Sequence, residues 1–185
     1  MNFPILSSIT FIPLIGAFFI LLTREEKNEK NRGSIYVSLF TSFVNFFLTL
    51  FLWYSFDNST YDFQFIEEFF WISGFIKFKF GIDGISILFI LLTAFVTPLA
   101  IISCINSVKV RLKEFLIAIL VLETFMIGVF CSLDLVIFYL FFEAGLIPMF
   151  LIIGIWGGPR KVYSAFKFFL FTLLGSVLML VAIIA

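Results

Sequence analysis

Residues 133–150 read LDLVIFYLFFEAGLIPMF, and this stretch decides how the rest of the chain is interpreted. It is long enough to cross a bilayer, and Glu143 lies near its middle. A charge at the centre of a membrane helix costs about 2.5–3.5 kcal/mol on insertion scales, so such a residue is rarely present without a function. Five residues later, Pro148 lacks an amide proton, which leaves the carbonyl of Ala144 without its helical partner. An acid beside a gap in the backbone hydrogen bonds therefore predicts a functional position inside the membrane.

The composition of the whole chain is that of a membrane protein. Of its 185 residues, 62% are hydrophobic and only 13% are charged, against about 25% charged residues in an average soluble chain. Apolar runs follow one another along the sequence, so we predict an all-α, polytopic transmembrane helical bundle. The net charge is zero, so no nucleic acid partner is expected. Because histidine is absent and Cys104 and Cys131 lack metal or redox spacing, we expect no metal site and no redox centre in this chain.

Six apolar runs are predicted to span the membrane within one domain, residues 1–185. They cover residues 3–22, 34–56, 84–105, 115–131, 133–154 and 162–185. The intervening segment 57–81 mixes charges with aromatic residues, and we expect it to lie on the membrane surface, partly as a strand where residues 75–80 alternate. Only residues 132–134 separate the fourth run from the fifth, which predicts a tight antiparallel hairpin. Pro98 predicts a kink in the third span.

Basic residues predict how the chain is oriented. The loops after spans one, three and five hold four, three and two Lys or Arg residues, whereas those after spans two and four hold two and none. By the positive-inside rule, the odd loops face the cytoplasm or matrix and the N-terminus faces the other side. No polar or aromatic flank follows the last apolar run, so we expect the chain to be the N-terminal part of a longer protein.

Three charged residues lie inside the predicted spans: Glu123, Glu143 and Lys167. Counted from the turn at Ser132, both glutamates lie about 14–17 Å deep in a hydrocarbon core about 30 Å thick. Neighbouring helices are about 8–10 Å apart, so the two carboxylates can share a cavity or a chain of waters. Acids that share a desolvated site can take up and release protons, which predicts a proton relay.

Structural roles compete with these functional ones. A membrane glutamate can simply hydrogen-bond a neighbouring helix, and this applies to Glu123 and Glu143. Lys167 lies about 8 Å from the membrane surface, so it either snorkels to the interface or is the partner that tunes Glu143. Asp83 and Asp134 begin helices, where a carboxylate caps free amides.

Several segments of the sequence resemble one known family. They are residues 81–86 (GIDGIS), 133–135 (LDL), 138–139 (FY), 141–143 (FFE), 146–150 (LIPMF), 153–157 (IGIWG) and 167–176 (KFFLFTLLGS). Together they closely resemble the chain 4 family of mitochondrial NADH:ubiquinone oxidoreductase (respiratory complex I), whose bacterial equivalent is chain M. The resemblance runs over nearly the whole chain and is dense from Gly81 onward.

The resemblance implies an antiporter-like fold of about fourteen transmembrane helices with two inverted repeats and broken helices. It implies that Glu143 matches the family's essential fifth-helix glutamate and Glu123 an acidic position on the fourth helix. The lysine that pairs with the fifth-helix glutamate is on the seventh helix, which we expect beyond Ala185. The implied function is that of a proton-translocating membrane subunit, which couples electron transfer from NADH to quinone with proton transport.

The same resemblance implies the chain's partners and location. The expected partners are other membrane-arm subunits of complex I, membrane lipid and protons. NAD, FMN, iron–sulfur clusters and ubiquinone are expected in partner subunits, with no cofactor in this chain. The expected location is the mitochondrial inner membrane, or alternatively a bacterial plasma membrane. Two other functions stay open: a sodium/proton antiporter subunit, and a purely structural scaffold of the membrane arm.

Overall fold

The computed structural model describes residues 4–23, 32–57, 59–60, 62–72 and 76–184. In chain order the elements are α1 (Ile5–Leu22), α2 (Arg32–Tyr54), β1 (Gln64–Ile72), β2 (Ile76–Ile82), α3 (Ser86–Ser107), α4 (Leu112–Cys131), α5 (Leu135–Trp156) and α6 (Lys161–Ile184). Each of these six helices is long and apolar enough to cross a membrane. The prediction of a polytopic helical bundle with six spans is therefore confirmed, and a β-hairpin lies between α2 and α3.

Helix α4 lies at the centre of the bundle. It packs against α1, α3 and α5, and over a shorter length against α2, while α6 packs on α5. Two glycines allow the closest approaches between helices. The ring of Phe141 on α5 occupies the space that a Cβ at Gly128 of α4 would need, and Thr41 on α2 does the same at Gly16 of α1. Side chains larger than hydrogen at these two positions would push the helices apart.

The turn between α4 and α5 is tight, as the sequence predicts. Asp134 precedes α5, and its Oδ1 accepts hydrogen bonds from the amides of Val136 (2.8 Å) and Ile137 (3.3 Å). Asp83 accepts a bond of 2.7 Å from the amide of Ser86 at the start of α3. Hydrogen bonds from Ser86 hold the pKa of Asp83 below its usual value. The predicted capping roles of both aspartates are confirmed.

The hairpin of β1 and β2 closes one end of the bundle. The antiparallel strands pair Glu68 with Lys79 and Phe69 with Phe78, so the predicted strand is confirmed from Ile76 onward, while residue 75 lies outside the described residues. Phe80 and Ile82 are completely buried, and the expected position of segment 57–81 on the membrane surface stays a prediction. Burying this apolar side of the hairpin against the helix ends lowers the free energy of the folded chain.

The hairpin is joined to the α4–α5 turn and to α1. Phe80 pairs with Ser132 as an isolated bridge, and the amide of Leu133 donates to the carbonyl of Lys79 at 3.0 Å. On the other strand, the carboxylate of Glu67 accepts bonds from the amides of Leu6 (2.8 Å) and Ser7 (3.0 Å) and from the Ser7 hydroxyl. Glu67 thereby caps the first turn of α1 from a distant part of the chain.

At the opposite end, basic and aromatic side chains tie the helix ends together. Nζ of Lys113 donates to the carbonyls of Leu21 (3.2 Å) and Thr23 (2.7 Å). Nε1 of Trp156 donates to the carbonyl of Val110 at 2.8 Å. The connections after α1, α3 and α5 thus meet at one end, although residues 24–31 of the first loop lie outside the described residues. Which side of the membrane this end faces stays a prediction.

Three prolines, Pro13, Pro98 and Pro148, lie inside continuous helices. Helix α3 runs through Pro98, and α5 runs through Pro148. Each proline lacks an amide proton, so the carbonyl four residues earlier has no helical donor at that point. The kink expected at Pro98 therefore does not interrupt α3. The gap in the backbone bonds near Glu143 lies within a single helix.

Candidate functional site

Glu123 lies on the side of α4 that faces α2. Its side chain is only 2% exposed, and its Oε1 accepts a hydrogen bond of 2.8 Å from Nδ2 of Asn45, which is completely buried. The sequence interpretation missed Asn45 because it considered only ionisable residues within the spans. An asparagine inside an apolar run is itself a signal, since a buried amide costs free energy unless it is hydrogen-bonded.

Three buried side-chain oxygens lack a hydrogen-bond partner in the part of the chain that the structure describes. They are Oδ1 of Asn45, Oε2 of Glu123 and Oε2 of Glu143. Such atoms are rare in folded proteins, because each one costs about 1–3 kcal/mol. Two of these atoms belong to the predicted site residues Glu123 and Glu143, and the third belongs to Asn45, which is hydrogen-bonded to Glu123. Each of these oxygens can therefore accept a hydrogen bond, and those of the two carboxylates can also bind a proton.

A stripe of buried polar side chains follows the same side of α2. Its members recur every three or four residues, except that two of them are adjacent: Ser34, Ser38, Thr41, Ser42, Asn45 and Thr49. The hydroxyls of Ser38 and Ser42 donate to carbonyls of their own helix at 2.9 and 3.0 Å, and that of Thr49 does so at 2.7 Å. Their protons are therefore not donated to Glu123. The spacing is visible in the sequence, but a search limited to charged residues does not find it.

Glu143 lies on the side of α5 that faces away from α4. The α4-facing side of α5 is marked by Phe141, which packs on Gly128, and by Gly145, where an added Cβ would lie 3.6 Å from Cβ of Phe125. Glu143 is two residues from each of these markers. At about 100° per residue, Glu143 is therefore rotated by about 160–200° around α5 from Phe141 and from Gly145, and it lies on the opposite side of the helix.

The side of α5 that carries Glu143 is turned toward α6. Phe150 and Gly154 lie seven and eleven residues after Glu143, which is about two and three helical turns. The ring of Phe150 is 5.4 Å from that of Phe166, and an added Cβ at Gly154 would lie 3.5 Å from Cβ of Ala165. Glu143 therefore belongs to the interface between α5 and α6.

The structure does not bring Glu123 and Glu143 together in the shared cavity that the sequence suggested. Their depths are similar, because the contacts of Gly128 with Phe141 place Glu143 about 5 Å from Glu123 along the bundle axis. Their orientations differ, since one faces α2 and the other faces α6. Depth follows from counting residues from a turn, but the direction in which a side chain points requires the packing of all neighbouring helices.

Lys167 is exposed and points away from α5. Ala165 marks the side of α6 that faces α5, because its Cβ would lie 3.5 Å from a Cβ added at Gly154. Lys167 follows Ala165 by two residues, which is a rotation of about 200° around α6. Within the described ranges it forms no ion pair or hydrogen bond, so the structure does not show the suggested pairing with Glu143. The polar residue of α6 that does face inward is Ser176, which is 3% exposed. Continuing the antiparallel register from Gly154 and Ala165 places Ser176 at about the depth of Glu143.

No cation neutralises either buried glutamate within the described residues. The ion pairs found there lie at the ends of the bundle: Lys79 with Glu68 at 2.7 Å, and Arg111 with Glu114 at 3.6 Å. The described residues also contain no group of three His, Cys, Asp or Glu side chains that could hold a metal ion. Carboxyl groups in such a setting, here those of Glu123 and Glu143, can bind and release protons.

Comparison with known proteins shows which proteins this chain is similar to. Residues 132–185 match the family described as "NADH:quinone oxidoreductase/Mrp antiporter, TM". The chain is 54% identical over 182 residues to NADH-quinone oxidoreductase subunit M of Rhodobacter capsulatus, covering 98% of this chain and 35% of the relative. It is 47% identical over 181 residues to NADH-ubiquinone oxidoreductase chain 4 of Marchantia polymorpha, covering 97% of this chain and 36% of the relative.

A solved structure agrees with these relatives. A chain of the respiratory complex I from Thermus thermophilus with bound NADH superposes with a TM-score of 0.79 at 28% identity, covering 97% of this chain and 35% of that chain. The present chain thus spans about a third of the length of the proteins it matches. Over nearly all of its residues, it is a homologue of the N-terminal part of NADH-quinone oxidoreductase subunit M and NADH-ubiquinone oxidoreductase chain 4, in agreement with the sequence resemblance.

Proposed function

We propose that this chain belongs to a proton-translocating membrane subunit of respiratory complex I, in which electron transfer from NADH to quinone drives proton transport. The observation that carries the proposal is Glu143, an acid at membrane depth whose Oε2 is buried without a partner. Glu143 lies within the segment 132–185 that matches the family. An acid in this setting can hold a proton or release it to a neighbouring group, as ionisable residues in membrane transporters do.

In the proposed mechanism, Glu143 changes its affinity for a proton when a cationic side chain approaches or withdraws. A cation nearby stabilises the carboxylate and releases the proton, and its withdrawal favours uptake. A thousandfold change in proton affinity corresponds to about 4 kcal/mol, which a redox reaction elsewhere in the complex can supply. None of the described residues provides this cation, so the proposal requires one from outside them.

The proposal assigns the redox chemistry to partner subunits. NAD, FMN, iron–sulfur clusters and ubiquinone would bind there, and this chain would contribute no redox centre. Other subunits of the membrane arm, together with lipid, would surround its helices. We propose the mitochondrial inner membrane as its location, supported by the chain 4 relatives from Marchantia polymorpha and Mycosarcoma maydis. A bacterial plasma membrane is the alternative, supported by the relative from Rhodobacter capsulatus.

A sodium/proton antiporter subunit is the second candidate function, since the matched family also covers Mrp antiporters. Both functions use a membrane carboxylate, so Glu143 does not discriminate between them. Sodium-dependent proton movement in the absence of NADH oxidation would favour the antiporter. A third possibility, a structural scaffold, predicts that neutralising Glu143 lowers the amount of assembled complex and leaves the pumping of the remaining complexes unchanged.

The test is Glu143→Gln in the complete subunit within its native membrane complex. We expect normal assembly, loss of NADH-driven proton pumping and a large decrease in quinone reduction, because the amide cannot exchange a proton. Glu114→Gln is the matched control: it removes a carboxylate that is exposed at the start of α4 and paired with Arg111. Normal pumping in the assembled Glu143→Gln complex would refute the role of Glu143.

A further inference from the structure

Asn45 and Glu123 form a buried pair whose hydrogen bonds are incomplete. Nδ2 of Asn45 donates to Oε1 of Glu123 at 2.8 Å, while Oδ1 of Asn45 and Oε2 of Glu123 both lack a partner among the described residues. Both of these remaining atoms are acceptors when the carboxyl group is ionised. Two acceptors cannot bond to each other, so an ionised Glu123 leaves both atoms unsatisfied. A single proton on Oε2 would give each of them a partner.

Other donors near the pair are already used. The hydroxyl of Ser42, one turn before Asn45 on α2, donates to the carbonyl of Leu39. The hydroxyl of Thr49, one turn after it, donates to the carbonyl of Phe46. On α4, the hydroxyl of Thr124 donates to Leu120 at 3.2 Å. None of these three hydroxyls therefore has a free proton to donate to the pair.

Among the side chains that the structure describes, no charge of opposite sign faces Glu123 from the elements that pack on α4. Helices α1 and α3, Ile5–Leu22 and Ser86–Ser107, contain no charged residue. The charged residue of α2 is Arg32, at its first position, about 20 Å from Asn45 along the helix axis. Helix α5 contributes Glu143 on its far side, and Lys79 of β2 pairs with Glu68. An ionised carboxylate without a cation is strongly disfavoured at a site that is only 2% exposed.

We propose that Glu123 is protonated on Oε2 in the resting protein and that Asn45 is its positioning residue, so that the two side chains form a carboxyl–carboxamide pair joined by two hydrogen bonds. Oε2–H of Glu123 donates to Oδ1 of Asn45, and Nδ2 of Asn45 donates to Oε1 of Glu123. The pair stores one proton between α2 and α4, on the opposite side of the α4–α5 interface from Glu143. This inference concerns a different residue pair from the proposed function and does not depend on it.

The pair makes a specific prediction about Glu123→Gln. The NH₂ group of the glutamine can replace Oε2–H as the donor to Oδ1 of Asn45. The glutamine oxygen can replace Oε1 as the acceptor from Nδ2, so both hydrogen bonds can form again. We expect this variant to assemble in normal yield. Asn45→Leu, in contrast, removes both bonds and leaves the carboxyl group unpaired. The local opening equilibrium of α2 and α4 around this site should then increase by about 5- to 150-fold, measured by hydrogen exchange.

Infrared spectroscopy of the purified complex tests the proton directly. The spectrum of the wild type minus that of Glu123→Gln should contain the C=O stretch of a protonated carboxyl group, shifted in D₂O. Loss of carboxylate bands instead would mean that Glu123 is ionised and bridged to Asn45 by water, which overturns the proposal. Failure of Glu123→Gln to assemble, or unchanged hydrogen exchange in Asn45→Leu, would also overturn it. These readouts are independent of pumping, so the Glu143 hypothesis and this one can fail separately.

Discussion

Glu67 is expected to stabilise the start of α1 although it is located about sixty residues away in the chain. Its carboxylate accepts bonds from the amides of Leu6 and Ser7, which lie in the first turn and have no partner within the helix. Because the acceptor is ionised and lies at the positive end of a helix dipole, the contact is stronger than a neutral cap. The perturbation that tests it is Glu67→Gln, which removes the charge and preserves the size of the side chain.

The magnitude follows from the bonds involved. A hydrogen bond to an ionised group contributes about 1.5–3 kcal/mol, against about 0.5–1.5 kcal/mol for a neutral one. The amide of glutamine keeps one oxygen acceptor, so one of the two backbone bonds is lost and the other is weakened. Since Glu67 is half-buried, we take a value near the lower end, about 2 kcal/mol, which is about 30-fold in the opening equilibrium of the first turn.

The assay is hydrogen exchange of the intact complex, followed by mass spectrometry of the peptide that contains Leu6 and Ser7. Hydrogen exchange reports local opening and does not require the whole assembly to unfold. We expect these amides to exchange about 30-fold faster in Glu67→Gln. Glu68→Gln is the control, because the neighbouring carboxylate pairs with Lys79 at 2.7 Å in an exposed position. Unchanged exchange in Glu67→Gln, or an equal change in the control, would refute the capping role.

Three further predictions concern helix contacts and caps. Gly128→Ala should destabilise the α4–α5 interface by about 1–3 kcal/mol, because its Cβ overlaps the ring of Phe141, and the yield of assembled complex measures this. Lys113→Met should speed hydrogen exchange at the C-terminal end of α1 by about tenfold, because two bonds from Nζ to carbonyls are lost. The pKa of Asp83 is lowered by hydrogen bonds from Ser86, so its cap is fully present above about pH 4 and is lost as the pH falls further. Protection of the first turn of α3, corrected for intrinsic exchange rates, should therefore be equal at pH 6 and pH 8.

Matched controls exist for these predictions. Gly175→Ala adds a Cβ in open space on α6, so it should leave the yield unchanged or raise it. Lys109→Met removes an exposed cation from the same basic loop as Lys113 and should not alter exchange in α1. A decrease in yield with Gly175→Ala equal to that with Gly128→Ala would contradict the packing argument. Lower protection of α3 at pH 8 than at pH 6 would contradict the assignment of the cap to Asp83.

The helices could be predicted from the sequence because each one is determined by the residues of its own segment. An apolar run of about 20 residues has to form a helix in a bilayer, since each backbone donor and acceptor needs a partner within the segment. Caps are local as well, and Asp83 and Asp134 were found in this way. Glu67 was not, because its partners, Leu6 and Ser7, are distant in the chain. Caps formed by tertiary contacts leave no signature in the neighbouring residues.

The candidate site could be predicted only in part. Glu123 and Glu143 stand out because an ionisable residue in an apolar run is costly, and counting from the turn at Ser132 gives their depth. Their directions depend on which helices pack on either side of α4 and α5. The partner of Glu123 is Asn45, which is 78 positions away. Recognising a partner of this kind requires asking which uncharged polar residues are also out of place in a membrane span.

The separation of the two acids has a consequence for how protons could move through this part of the subunit. The interface between α4 and α5 is filled by Phe141 against Gly128 and by Phe125, whose ring centroid lies 6.3 Å from that of Phe141. These contacts are apolar, so they offer no hydrogen-bond partner to water molecules between the two carboxyl groups. Under the proposed function, a direct proton transfer from Glu123 to Glu143 would have to cross this apolar contact. If both glutamates carry protons, we therefore expect them to act at separate steps or in separate paths, and a direct transfer between them would require α5 to move on α4.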